Sequence, residues 1–92
     1  MGLWIRSQDK EILINTKRLF VNEVLENKKI VGYSIDSGGI ELGRYSTKAK
    51  ALIVLDKIQK RINESIYIND IAEYEKEIYT KNVFEMPLDK IV

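Results

Sequence analysis

The chain has 92 residues, with 15 basic and 14 acidic side chains for a formal charge of +1, and it contains neither Cys nor His. That length makes one domain, 1–92, with a real but thin core, because so short a chain buries only about 60–65% of its unfolded surface. The missing thiols and imidazoles exclude disulfides, thiolate zinc sites, a cysteine nucleophile and the ordinary general base of neutral pH, and the near-zero charge excludes a uniform nucleic-acid-binding coat.

Leu3 to Gln8 alternates Leu3, Ile5 and Ser7 against Trp4, Arg6 and Gln8, the pattern of a half-buried strand. Ser7-Gln8-Asp9-Lys10 reads as a polar turn. The apolar runs Ile12-Leu13-Ile14 and Leu19-Phe20-Val21 form one bent strand or two, with the break near Asn15-Thr16. Glu26-Asn27-Lys28-Lys29 reads as a hairpin turn. Ile30 to Asp36 is the next strand, with Val31, Tyr33 and Ile35 on one face. Ser37-Gly38-Gly39 is the plainest turn signal in the chain, since Gly accepts positive φ without steric cost. Ile40 to Tyr45 closes a second antiparallel hairpin.

Ser46 or Thr47 caps the main helix, about 47–63, by accepting an N–H of its first turn. Ala51, Leu55, Ile58 and Ile62, joined by Leu52 and Val54, make its apolar stripe, and Ile53 points away. Asp70-Ile71-Ala72-Glu73 has the spacing of a capping box, and Ile71, Tyr74, Ile78 and Tyr79 recur at helical intervals, so a short second helix is expected near 70–79. Asn82 to Met86 reads as a strand that Pro87 ends. The expected architecture is α+β: an antiparallel meander of four or five strands, the main helix on one sheet face, and a short C-terminal helix and strand. No apolar run is long enough to span a bilayer. No leader is visible, and the lack of Cys agrees with a cytoplasmic protein.

Charge is unevenly placed. From Arg44 to Arg61 six bases face the single acid Asp56, and from Glu64 to Tyr79 five acids face the single base Lys76. The plain reading is two solvated helix faces of opposite sign. The sharper one is a nucleic-acid surface made of Lys48, Lys50, Lys57, Lys60 and Arg61.

Two groups suit a small ligand. Trp4 with Arg6 can stack on a flat group and grip an anion, although Trp is usually mostly buried, and the plain reading puts Trp4 in the core. Arg44 and Tyr45 stand before a helix N-terminus, whose free N–H groups and dipole favour an anion. No carboxylate pair, metal cluster or nucleophile pattern appears, so neither cofactor nor metal is expected and the chain is read as a non-enzyme. The second sheet face, with several aromatics among five Tyr residues, needs cover, so a homodimer is expected.

The stretches Leu3-Trp4-Ile5-Arg6-Ser7-Gln8-Asp9-Lys10, Leu42-Gly43-Arg44-Tyr45-Ser46-Thr47, Val54-Leu55-Asp56-Lys57-Ile58-Gln59 and Phe84-Glu85-Met86-Pro87 resemble a group of short uncharacterised proteins in Gram-positive bacteria and their phages. The resemblance covers most of the chain and is weakest over 64–80. It implies a small stand-alone cytoplasmic protein, of bacterial or phage origin, that binds a host protein or sequesters a nucleotide signal. The leading expectation is a non-enzymatic, self-associating binding protein. The alternatives are an anti-defence protein that sequesters a nucleotide signal with Trp4, Arg6, Arg44 and Tyr45, and a nucleic-acid accessory role for the basic helix.

Overall fold

The computed structural model describes residues 3–71 and 83–92, with helix side chains described as far as Asn63. The elements are β1 (Leu3–Arg6), β2 (Leu13–Thr16), β3 (Phe20–Glu26), β4 (Lys29–Ser37), β5 (Ile40–Tyr45), α1 (Lys48–Ile71) and β6 (Val83–Glu85), with a 3-10 turn over Asp89–Ile91. The fold is α+β, and its strands form two sheets, ordered β2-β1-β6 and β3-β4-β5.

Local chemistry explains where the strands turn. Between β1 and β2 the Ser7 N–H bonds the Ile12 carbonyl at 2.8 Å, and the Ser7 hydroxyl accepts the Ile12 N–H at 3.0 Å. Lys10 takes the left-handed position there, at φ 70. Asn27 and Lys28 both have positive φ, 51 and 64, which is what a two-residue hairpin needs to match the twist of its strands. Gly38 and Gly39 serve the same purpose between β4 and β5, at φ 55 and 87.

The two apolar runs 12–14 and 19–21 belong to different strands in different sheets. The Thr16 hydroxyl donates to the Arg18 carbonyl at 3.0 Å and accepts the Arg18 N–H at 3.2 Å. This local side-chain bonding replaces the ladder and turns the chain from one sheet into the other. After α1 carries the chain back, β6 lies parallel to β1, with Ile5 opposite Phe84. A parallel neighbour requires a crossover of this kind, and the antiparallel pairings are those of the hairpins.

Thr47 caps α1, its hydroxyl accepting the Lys50 N–H at 3.1 Å. Ala51, Val54 and Ile58 are buried with Leu3, Ile5, Ile35, Leu42, Tyr45, Phe84 and Met86, while Ile62 packs at the margin. Ile53 is exposed, as its place off the stripe requires. Leu52 was expected in the stripe and is exposed instead, because it lies about 100° around the helix from Ala51. Val31 also departs from its expected face. It is the extra residue of a bulge on β4, since Val24 pairs with Gly32 and Leu25 with Ile30.

α1 runs to Ile71, past the expected end near 63. No Gly or Pro interrupts 64–71. The short helix expected near 70–79 lies, beyond Ile71, outside the described residues.

Candidate functional site

The two sheets are joined at one end by the Thr16 and Ser37 hydroxyls, between β2 and β4, and at the other by Gln8. Gln8 follows β1, and its backbone N–H bonds the Leu42 carbonyl on β5 at 2.7 Å. Its amide then reads the next β5 position as a strand would: Oε1 accepts the Arg44 N–H at 2.9 Å and Nε2 donates to the Arg44 carbonyl at 3.1 Å. The same Nε2 donates to the Pro87 carbonyl at 2.9 Å. Pro87 also accepts the Tyr45 hydroxyl, at 2.8 Å. The first strand, the last strand of the second sheet and the C-terminal segment therefore meet at Gln8.

Just before α1 the chain places an anion of its own. The Asp89 carboxylate accepts the Ser46 N–H at 2.7 Å and the Ser46 hydroxyl at 3.0 Å, with the Lys50 ammonium 3.5 Å away. The Ser46 N–H is the main reason the Asp89 carboxyl sits below the ordinary carboxylate range. Asp89 thus stands beside the expected ligand site at Arg44, Tyr45 and the start of α1 and takes up Ser46 and Lys50 there. A depressed folded-state value means that the contribution is present above the ordinary carboxylate range and is lost as pH falls through and below it. Wild type should therefore lose thermal stability between about pH 5 and pH 3 more steeply than Asp89→Asn. Parallel pH profiles for the two proteins would remove Asp89 from this role. Asp9 and Glu85 are also held low, by the Ser7 hydroxyl and by Lys10 respectively, so some acid sensitivity remains in the variant.

Tyr45 leaves the candidate ligand set outright. It is 1% exposed, its hydroxyl is engaged by Pro87, and burial pushes its phenol up to about 12. Arg44 is exposed but already neutralised. Its guanidinium pairs with Glu41 at 2.9 Å, and Glu41, with Glu26 and Asp36 further off, raises its already high value. A phosphate arriving there meets carboxylates first. The face of the β3-β4-β5 sheet that carries Arg44 is mixed: Arg44 pairs across strands with Ser34, which pairs with Asn22, and Glu41 with Asp36, which pairs with the exposed Phe20. Tyr33 and Tyr45 pair on the opposite face. The aromatic left exposed on the Arg44 face is Phe20, not one of the tyrosines.

Trp4 and Arg6 remain, on a face that the sequence reading assigned the other way. Leu3 and Ile5 are buried, so Trp4 and Arg6 point outward, and Trp4 is 48% exposed rather than in the core. The aliphatic pair turns in because the core lies on its side of the strand. Two cross-strand rows result: Asn15, Trp4, Val83, and Leu13, Arg6, Glu85. Leu13 is exposed as well. Lys10 bridges to Glu85 at 2.7 Å, and Arg6 reaches the Lys10 carbonyl at 3.4 Å. With Arg6 and Lys10 against Glu85, the surroundings of Trp4 carry a net positive charge.

The basic helix is not an open track. Lys50 is tied to Asp89, and Arg61 donates to the Val83 carbonyl at 3.4 Å and stands 5.8 Å from the centre of the Phe84 ring. These two, with Lys57, recur at i, i+7 and i+11 and share one helix flank. The two ends of that flank meet the C-terminal strand and tail. Lys48, Lys57 and Lys60 are exposed.

A shallow pocket of about 260 Å³ is lined by Gln8, Asp9, Glu41, Leu42, Gly43 and Leu88. Both of its carboxylates are already bonded, Asp9 to the Glu11 N–H at 3.0 Å and Glu41 to Arg44. Among the described residues no group of His, Cys, Asp or Glu is placed to hold a metal, and no helix is long and apolar enough to cross a membrane. Sequence reasoning missed Gln8 and Asp89, the two residues that organise this end of the molecule; their only local signal was polarity beside a turn. No family model, curated protein or solved structure matches the chain.

Proposed function

We propose that this chain is a small, non-enzymatic cytoplasmic binding module whose recognition surface is the outer face of the β2-β1-β6 sheet. The observation that carries this reading is Trp4, the only Trp, standing 48% exposed in the central strand of that sheet beside exposed Leu13. A large aromatic body held rigidly by ladders on both sides suits an interface anchor, because little conformational freedom is lost on contact. The partner favoured is a protein surface, and the resemblance to short Gram-positive and phage proteins supports a host protein in that role. Adjacency of Arg6 to Trp4 favours a second, narrower reading, in which a nucleotide stacks on the indole while the guanidinium meets its phosphate. Arg44 and Tyr45 take no part in it.

Trp4→Ala tests both readings. The side chain is half exposed, so folding stability should change by no more than about 1 kcal/mol. Capture of a partner from host extract should be lost in the variant and in Leu13→Ala; capture that survives both changes defeats the reading. For nucleotides, titration with mononucleotides and cyclic nucleotides should quench Trp4 emission and raise the melting temperature, with Arg6→Ala abolishing both. A flat response across the panel ends the nucleotide version.

A further inference from the structure

The β3-β4-β5 sheet has one closed edge and one open edge. On the β5 side, Gln8 bonds the Leu42 carbonyl and both backbone groups of Arg44. On the other side β3 has no strand neighbour among the described residues. β3 is seven residues long, Phe20-Val21-Asn22-Glu23-Val24-Leu25-Glu26, with no Pro, Lys or Gly, and the bulge opposite it belongs to β4. Edges of this length are ordinarily guarded by Pro, charged side chains or a bulge, because their free N–H and C=O groups template another strand; the only charges on β3 are Glu23 and Glu26. Two of its apolar side chains stand in solvent, Phe20 at 51% and Leu25 at 60% exposure. We propose that β3 pairs antiparallel with β3 of a second copy of this chain, about a two-fold axis at Asn22, to give one continuous six-stranded sheet.

Charge and face select the register. A two-fold axis perpendicular to a sheet keeps both faces aligned and sets some residue opposite its own copy. An axis at Glu23 would place two carboxylates against each other. An axis at Val24 would set Phe20 against Lys28 of the turn. An axis at Asn22 sets Phe20 against Val24 of the second copy and Val21 against Glu23, and it brings Leu19 and Arg18, just before β3, toward Leu25 and Glu26, each pair occurring twice. Arg18 and Glu26 are both exposed, and neither side chain has an ion-pair partner among the described residues. Phe20 with Val24 and Leu19 with Leu25 match in apolar contact, and Arg18 with Glu26 in charge. It stops at two copies, because Gln8 already occupies the far edge of the sheet and no filament can grow from it. A single strand pair is smaller than the roughly 1,200–2,000 Å² of a standard interface, so the dimer should form reversibly at about micromolar concentrations or above. The inference is independent of the Trp4 face, and Trp4→Ala should leave it in place.

Sedimentation equilibrium of the full chain from about 1 to 500 µM tests it. The expected result is a reversible monomer–dimer equilibrium. Asn22→Lys sets two ammonium groups face to face at the axis. Within each copy the new ammonium still has Asp36 as a partner, where the Asn22 amide now donates at 2.6 Å. The thermal midpoint should therefore hold while the dimer weakens by about tenfold or more. Arg18→Glu and Glu26→Arg, both at exposed positions, should each weaken the dimer several-fold, and the double variant should restore it. Monomer at every concentration, a dimer that Asn22→Lys leaves untouched, or a double variant that fails to recover overturns the proposal.

Discussion

Gln8→Ala is expected to lower stability by about 2–3 kcal/mol, a loss on the order of 10–20 °C in melting temperature for a domain of this size. The side chain makes three hydrogen bonds at once, two to Arg44 and one to Pro87, at 2.9, 3.1 and 2.9 Å. Truncation leaves the Arg44 N–H and C=O to solvent at the sheet edge. Pro87 keeps the Tyr45 hydroxyl and is spared. The loss is structural in a particular way, since it uncouples the β2-β1-β6 sheet from the edge of β5. Gln8→Glu separates this explanation from simple loss of volume. It is nearly isosteric, but it replaces the Nε2 donor with an oxygen facing two carbonyls. At neutral pH it should be more damaging than Gln8→Ala, and the gap should narrow as the pH falls and the carboxyl regains a proton to donate. If Gln8→Glu is no worse than Gln8→Ala at neutral pH, the amide bridge is not what joins the sheets at that end.

The parts of this fold that were legible in the sequence are those set within a few residues. Asn27-Lys28 and Gly38-Gly39 mark turns because positive φ is a local demand. Thr47 marks the start of α1 because a cap satisfies the next turn. Ala51, Val54 and Ile58 mark its buried face by spacing alone. What was illegible is decided at long range. Gln8 and Asp89 look like solvated turn residues until residues 36 and 43 positions away arrive beside them. The alternation in β1 correctly separated Leu3 and Ile5 from Trp4 and Arg6. It did not say which side the core would occupy, and propensity for burial favoured the wrong pair. The same gap affected the expected ligand site. Arg44, Tyr45 and the helix end are indeed adjacent, but Asp89 and Glu41 supply their anions and the core takes the Tyr ring. A basic residue near a helix N-terminus is a signal for an anion without saying whose anion it is.

Tyr45→Ala is expected to cost about 3–5 kcal/mol, the range for truncating a buried aromatic, and so to bring a thin-cored domain close to unfolding at 37 °C. The ring lies back over Gly43, two residues before it on the same strand. A Cβ built on Gly43 would sit 3.2 Å from the Tyr45 hydroxyl and 3.0 Å from the Met86 methyl, so the glycine is there to admit the ring. The hydroxyl and the ring contribute separately. Tyr45→Phe keeps the ring and loses one hydrogen bond to a carbonyl that Gln8 still satisfies, so its cost should be about 0.5–1.5 kcal/mol. The two proteins should also part in alkali. Burial pushes the Tyr45 phenol up to about 12, above its value of about 10 in the unfolded chain. The neutral form is the one the fold accepts, so its contribution is complete below about pH 10 and is lost as pH rises toward about 12. Wild type should therefore lose stability over that interval more steeply than Tyr45→Phe, measured by denaturant midpoint at successive pH values. If both fall together across it, ionisation at Tyr45 is not what opposes folding in alkali, and the hydroxyl is better hydrated than its contact with Pro87 implies.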